Sequence, residues 1–463
     1  MPLHHSSGEE EDGDLSVNPL FAQLGTQRIP KLRLPAHEMH PDAAYQVVHD
    51  QLMLDGNARL NLATFVTTWM EPQAARIMSE TTDKNVIDKD EYPQTAEIER
   101  RCVYILSHLW HAHVRRNAIG CSTTGSSEAA MLAGLALKWR WRERRRTAGL
   151  PADRPNLVMC TNVQVCWEKF CRYWDVEPRY VPMERDRLHL TGAAAAPMCD
   201  ENTIGVVAIL GSTQDGSYEP VEDIAAALDA LQRDGGPDVP VHVDAASGGF
   251  IAPFVQPNLK WDFRVDRVAS INASGHKYGL VYPGVGWVVW RDRESLPEDL
   301  VFHVNYLGGS MPTFALNFSR PGAQVIAQYY QFLRLGFEGY KRVQQTCLDT
   351  AQHCARQIAQ LGHFELLSEG TDLPVFVFKL RDGIDRYTVF DVSDALRKHG
   401  WQLPAYHLPK NVEDIAVLRV VVRNGFSTDL ADALVSDLRR ELHLLDSMPA
   451  RLPQHPDRTR FHH

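Results

Sequence analysis

Three short stretches carry side chains whose types and order could perform chemistry: Gly125-Ser126-Ser127 at the head of an apolar-periodic segment, Asp244 within HVDAASGG (242–249), and His276-Lys277 within SGHKYGL (274–280). Two hydroxyls beside the free backbone N–H groups of a helix start suit a phosphate. The basic run RWRERRR (140–146) at the far end of the same segment complements the helix dipole. Asp244 closes a strand pattern, which places its carboxylate at the functional edge of a sheet. The small residues Ala245, Ala246, Ser247, Gly248 and Gly249 then let a flat group approach the backbone. Lys277 follows the next β-branched run, VASIN (268–272), in a loop of small residues. Taken singly, these are a Ser-capped helix, a capping or metal-binding carboxylate and a solvated surface lysine.

Together they form a different set. A phosphate anchor, an acid to partner a pyridine nitrogen and an amine able to form a Schiff base, in that order, are what pyridoxal phosphate requires. His276, beside the lysine, could reach the cofactor phosphate.

The elements that must position these groups are short β-branched runs: NLVMC (156–160), TIGVVAIL (203–210), VPVHVDAA (239–246), VASIN (268–272) and VGWVVW (285–290). They alternate in part with helical patterns such as DIAAALDALQRD (223–234), which predicts a mostly parallel sheet covered by helices on both faces. Beyond residue 345 the pattern changes to a long helix candidate (about 340–361), PVFVFKL (374–380), TVFDVSDALRKHG (388–400), AVLRVVVR (416–423) and a terminal helix at about 427–445. The expected organisation is an N-terminal segment (1–59), an acidic arm followed by helix and making oligomer contacts. A large domain (60–345) and a small α+β C-terminal domain with a tail (346–463) follow it.

Bulk composition narrows the function. The 463 residues are 44% hydrophobic, enough for a sizeable core, and 48 Lys plus Arg against 58 Asp plus Glu give −10, the wrong sign for nucleic-acid binding. The eight cysteines form no CxxC pair and no zinc-finger spacing, as in a cytoplasmic protein with reduced thiols, and no metal is expected. The N-terminus has no basic and apolar signal pattern, and no apolar run approaches a membrane span, so neither export nor insertion is expected.

Longer segments extend the pattern: LDGNARLNLATFVTTW (54–69), IDKDEYPQT (87–95), TGSSEA (124–129), NVQVCWEKFCRYWDVE (162–177), HVDAASGGFIAPF (242–254), SGHKYGL (274–280), NYLGG (305–309), FALNFSRPG (314–322) and LRVVVRNGF (418–426). On these the chain resembles, from about residue 30 to 445, the bacterial and plant glutamate decarboxylases, a family of fold-type I pyridoxal-phosphate enzymes. The resemblance implies Lys277 as the Schiff-base lysine and Asp244 as the partner of the pyridinium nitrogen. It implies Ser126, Ser127 and His276 at the phosphate, with Ser319 of a neighbouring subunit. Gln164 would lie on one face of the ring and Ala246 on the other, with Thr213 near the ring hydroxyl. Thr64, the Phe65 backbone and Asp88 would receive the distal carboxylate of the substrate, and Arg419 is the carboxylate-binding candidate of the small domain. Asp88 facing a carboxylate makes sense where the two share a proton. Tyr306 lies in a loop that family members close over the site, and His462 matches a tail histidine that blocks the site near neutral pH in bacterial enzymes.

The implied activity is conversion of L-glutamate to 4-aminobutyrate and CO2 with uptake of one proton, and activation in acid through His462 and the acidic arm at 9–14 follows as an expectation. A decarboxylase of another acidic amino acid and a non-catalytic oligomeric scaffold are the alternatives. A homo-oligomer, at least a dimer and by analogy with bacterial relatives a hexamer, is implied. Two departures stand out. Thr213-Gln214-Asp215-Gly216 replaces the common T-Y-T-G, and the tail RTRFHH lacks the tryptophan-bearing basic helix through which plant relatives bind calmodulin.

Overall fold

The computed structural model describes residues 31–112, 118–305 and 311–448; the acidic arm at 9–14, Tyr306 and His462 lie outside the described residues. The chain divides into two units, residues 1–58 and residues 59–463. In the first, helix α1 (Pro41–Leu52) starts behind His40, whose side chain accepts a hydrogen bond from the Asp42 N–H at 3.3 Å. Pro41 supplies the fixed φ that suits a first helical position.

The second unit is built on a seven-stranded sheet of β1 (Ile119–Thr123), β2 (Asn156–Cys160), β3 (Glu177–Val181), β4 (Thr203–Ile209), β5 (Val241–Asp244), β6 (Val268–Ala273) and β7 (Gly286–Trp290). Their order across the sheet is β1-β7-β6-β5-β4-β2-β3, and β7 alone runs antiparallel to its neighbours. The helices that follow α1 are α2 (Pro72–Glu80), α3 (Pro93–Leu109), α4 (Ser126–Thr147), α5 (Val165–Tyr173), α6 (Gly192–Ala195), α7 (Val221–Arg233), α8 (Ala252–Val255), α9 (Ala323–Ala359), α10 (Val389–Arg397) and α11 (Thr428–Ser447).

Helices on both faces explain why the central strands read as continuous apolar runs. Every residue of β2 and β4 is buried. Alternate side chains of those strands serve two cores. Leu157, Met159, Val207 and Ile209 pack with Trp141, Trp167 and Phe170 under α4 and α5. Val158, Cys160, Val206 and Ala208 pack on the opposite face with Leu106, Ile224 and Leu228 of α3 and α7. Trp167 and Phe170 are fully buried, and each contributes about 2–3 kcal/mol of transfer free energy.

A short pair, β8 (Phe302–Val304) and β9 (Met311–Thr313), precedes a separate four-stranded antiparallel sheet. That sheet orders β10 (Phe364–Glu369), β11 (Val375–Leu380), β12 (Ala405–His407) and β13 (Ala416–Val421) as β10-β11-β13-β12. Its core joins Phe376, Phe378, Leu418 and Val420 to Leu434 and Leu438 of α11. The helix expected at 340–361 starts earlier, at Ala323. Two helical stretches meet at Gly336, which at φ 57 and ψ −171 takes a backbone conformation open to glycine. The first stretch packs Val325 and Ala327 into the core of the large sheet, and the second packs Ala351 and Ile358 into that of the small sheet. The boundary expected near 345 thus falls inside one helix. Among the described residues, no helix is long and apolar enough to cross a membrane.

Gly286 of β7 shows how tightly the sheet holds the start of α4. A Cβ there would lie 2.4 Å from the Gly125 carbonyl carbon and 2.7 Å from the Ser126 nitrogen. Gly286→Ala should therefore destabilise the protein by about 1–3 kcal/mol and displace the α4 start. Thermal melting and equilibrium dialysis against pyridoxal phosphate check this, with a lower melting temperature and weaker binding expected together.

Candidate active site

The carboxyl ends of β4, β5 and β6 lie side by side, with Ile209 opposite Asp244 and Asp244 opposite Asn272. Strand chemistry delivers Asp244 there, because His242 and Asp244 share one face of β5 while Val241 and Val243 fill the core on the other. Asp244 is 5% exposed and accepts three N–H donors: Trp167 Nε1 at 2.8 Å, Asn272 Nδ2 at 3.0 Å and the Ala246 backbone at 3.2 Å.

Lys277 follows β6 in a tight turn whose backbone is gripped from residues 64–68. Thr67 Oγ1 donates to the Lys277 carbonyl at 2.6 Å and the Thr67 N–H to the His276 carbonyl at 2.7 Å. The Lys277 amine stands 3.4 Å from Ser247 Oγ and 5.2 Å from the centre of the Phe65 ring. Burial holds its pKa below the usual lysine value, and the Asp244 charge opposes that shift.

At the α4 start, Ser274 Oγ donates to Ser126 Oγ at 2.7 Å, and Thr123 Oγ1 donates to the Gly125 carbonyl at 2.8 Å. The His276 ring lies against Gly125, so closely that a Cβ on that glycine would be 3.0 Å from His276 Cε1. Burial, then the neighbouring Lys277, pushes the His276 imidazole down to about 4. Its Nδ1 is buried and has no hydrogen-bond partner within the protein.

These elements enclose a cavity of about 340 Å³. Ser126, Ser127, His276 and Lys277 line it, as do Gln164, Thr213, Asp244 and Ala246, so eight of the residues expected from the sequence converge. Phe65 and Arg419 adjoin it. Arg419, 9% exposed, donates to the Thr213 carbonyl and, at 2.7 Å, to the Ala63 carbonyl, with its guanidinium 5.0 Å from the Phe65 ring centre. Thr64 Oγ1 accepts the Val66 N–H at 3.2 Å. Asp88 and Ser319 do not line the cavity of their own chain. They share a separate patch, where Asn85 Nδ2 donates to Ser319 Oγ at 3.3 Å and the Asp88 N–H donates to the Asn85 carbonyl at 3.2 Å.

Trp167, Asn272, Ser274 and Thr67 also hold the site, and residue type alone does not single them out. Trp167 and Asn272 were within reach of sequence reasoning: one stands three residues after Gln164, and the other ends VASIN beside the strand that ends in Asp244. Thr67 and Ser274 act through backbone and hydroxyl contacts that no spacing announces.

Residues 35–381 match the model of the pyridoxal-dependent decarboxylase conserved domain. The chain is 54% identical over 442 residues to a glutamate decarboxylase of Aliivibrio fischeri, covering 95% of this chain and 94% of the relative. It is 51% identical to glutamate decarboxylase 5 of Arabidopsis thaliana, over 95% of this chain and 90% of the relative. The chain belongs to the pyridoxal-dependent decarboxylase family. A solved glutamate decarboxylase of Lactobacillus brevis superposes with a TM-score of 0.90 at 48% identity, covering 93% of this chain and 98% of that one. The fold is accordingly the decarboxylase form of the pyridoxal-phosphate fold, with a large mostly parallel sheet and a smaller antiparallel C-terminal sheet.

Pyridoxal phosphate is the cofactor of this family, and the cavity suits it. The orphaned His276 Nδ1 beside Ser126 and Ser127 offers a partner to a phosphate oxygen, while Asp244 and the small residue Ala246 line the same cavity.

Below the cavity, Glu219 is 1% exposed and accepts from Leu190 N at 2.9 Å, Ile209 N at 2.7 Å and Asn162 Nδ2 at 3.2 Å. Burial outweighs those donors and pushes its carboxyl up to about 7. A folded value above the ordinary 4.5 makes this stability contribution complete below pH 4.5 and lost as pH rises through about 7. Between pH 5 and 8 the parent protein should lose up to about 3 kcal/mol that Glu219→Gln does not. Denaturant midpoints at the two pH values test this, and equal losses in both proteins would contradict it.

Proposed function

We propose that this protein is a glutamate α-decarboxylase that converts L-glutamate to 4-aminobutyrate and CO2, with Lys277 and Asp244 as its central catalytic pair. The observation that carries the reading is their convergence on one cavity with Ser126, Ser127 and His276. The names of relatives about half identical over nearly the whole chain support glutamate as the substrate.

Bound pyridoxal phosphate supplies an electron sink for the pair left when a carboxylate departs as CO2. The protein supplies everything around it. Lys277, its amine desolvated, would be the nucleophile that anchors the cofactor. Asp244 would partner the pyridine nitrogen and keep it protonated. Ser126, Ser127 and His276 would bind the phosphate, Gln164 and Ala246 would flank the ring, and Thr213 would lie near its hydroxyl.

Substrate orientation would decide which bond breaks, so the residues that hold the substrate's carboxylates would set the outcome. Thr64 and the Phe65 backbone, on the segment that also holds Lys277, receive the distal carboxylate, with Asp88. Arg419 receives a carboxylate from the small-sheet side, and its guanidinium already stands over Phe65. A proton must return to Cα in each turnover, so activity is expected to be supported by acid.

A homo-oligomer, dimer or larger and a hexamer by analogy, fits this reading: Asp88 and Ser319 do not line the cavity of their own chain, and in an oligomer they would serve a neighbour's. Tyr306 as a closing-loop residue and His462 as a tail plug complete the assignment. A cytoplasmic location agrees with eight free cysteines. The domains at 60–345 and 346–463 then divide the work, one holding the cofactor and the other contributing Arg419.

Incubation of the cofactor-loaded protein with L-glutamate at about pH 4.5–7 should yield 4-aminobutyrate. Lys277→Ala should abolish steady turnover, and Asp244→Asn should lower kcat by about 10²–10³-fold with little change in KM. Product analysis by chromatography decides it: bound cofactor with no product from glutamate, but product from another acidic amino acid, would overturn the substrate.

A further inference from the structure

The face of the large sheet beneath α5 is apolar except for one row. His242 and Asp244 on β5 pair across the strands with Ser270 and Asn272 on β6. All four are buried, among Trp167, Val207, Ile209 and their neighbours. A row of polar groups in such surroundings persists only when its hydrogen bonds are complete. Here they form one directed chain. His242 Nδ1 meets Ser270 Oγ at 2.8 Å, and His242 Nε2 meets Asn272 Oδ1 at 2.7 Å. Asn272 Nδ2 donates to Asp244 Oδ1 at 3.0 Å, and Trp167 Nε1 donates to Asp244 Oδ2 at 2.8 Å. The His242 ring also packs on the Trp167 indole, with centres 5.1 Å apart.

Chemistry fixes the direction of every link. A carbonyl oxygen only accepts, so His242 Nε2 must carry a proton toward Asn272, and Nδ1 of the neutral ring must then accept from the Ser270 hydroxyl. Burial pushes His242 down to about 4, so the ring stays neutral through mildly acidic conditions and the pattern is kept. With its carbonyl engaged by His242, the Asn272 amide has only its NH2 group to turn toward Asp244. The chain therefore ends at one carboxylate, and that carboxylate is the member of the row that lines the cavity.

We propose that His242 is a positioning residue for the decarboxylation reaction: through Asn272, and by supporting Trp167, it fixes the orientation in which Asp244 meets the cofactor's pyridine nitrogen. This rests on the assignment of Asp244 made above. His242 touches neither substrate nor cofactor; it acts by denying Asn272 the flipped amide orientation, in which a carbonyl oxygen would confront the Asp244 carboxylate.

The test compares His242→Phe with His242→Gln in the full-length protein. Phenylalanine keeps a ring against Trp167 but removes both nitrogens, whereas glutamine restores an N–H donor toward Asn272. Three quantities are read for each: the dissociation constant of pyridoxal phosphate from equilibrium dialysis, the pH midpoint of the absorbance change of the bound cofactor, and kcat and KM for glutamate. For His242→Phe we expect cofactor affinity and kcat to fall by about 10–100-fold, KM to stay within about twofold, and the absorbance midpoint to move. His242→Gln should recover most of each loss.

Parent-like affinity, midpoint and kcat in His242→Phe would overturn the proposal. So would equal losses in both variants accompanied by equal losses of melting temperature, because the residue would then act through packing alone. Cofactor binding by the parent protein without product from glutamate would remove the substrate reading, while affinity and absorbance midpoint would still decide the role of His242.

Discussion

The burial of one amine beside one carboxylate at the end of a parallel sheet is the constraint on which the site depends. Desolvation lowers the Lys277 pKa and the Asp244 charge raises it, so the amine stands between two opposed effects of which burial is the larger. Such a pair is costly to bury and is retained where hydrogen bonds satisfy it. Asp244 has three N–H donors, and the Lys277 turn is held through its backbone by Thr67. The sheet supplies the rigid edge, and the small residues at 245–249 and 274–275 supply the room.

The second sheet enters the site through two arginines. Arg419 within β13 and Arg423 just after it, both buried, reach main-chain carbonyls of the loop that carries Thr64 and Phe65. Arg419 reaches the Ala63 carbonyl at 2.7 Å, while Arg423 reaches the Val66 carbonyl and Thr68 Oγ1, each at 2.9 Å. A guanidinium offers five donors in a fixed fork, which suits the bracing of several loop carbonyls at once. Because the same loop grips Lys277, the small sheet is mechanically joined to the Lys277 turn. The contact of Arg419 with the Thr213 carbonyl extends the brace to the loop after β4.

Much of this was legible in the residue pattern, for reasons that differ by element. Fully buried strands such as TIGVVAI announce themselves because helices on both faces demand apolar side chains at every position. Asp244 and Lys277 are legible because charged residues at the ends of such runs are costly without a purpose. Strands β1 and β3 escaped notice: IGCST is short and polar at its end, and EPRYV is an edge strand with exposed positions. The antiparallel direction of β7 has no signature in VGWVVW itself. The start of α9 at Ala323 was obscured by Gly336, which reads as a helix break and is one, although helical turns continue on both sides. Asn272 and Trp167 carry a partial signal: each stands near a residue of the set, but where the fold sends its N–H depends on strand register across residues far apart in sequence.

The most direct test of the central claim is to load the protein with pyridoxal phosphate, reduce it with borohydride and map the modified peptide by mass spectrometry. The expected result is a single pyridoxyl adduct on the lysine of SGHKYGL, at Lys277, with none in Lys277→Ala. An adduct on any other lysine, or full cofactor uptake with no reducible bond at Lys277, would contradict the assignment of this amine as the group around which the cavity is built.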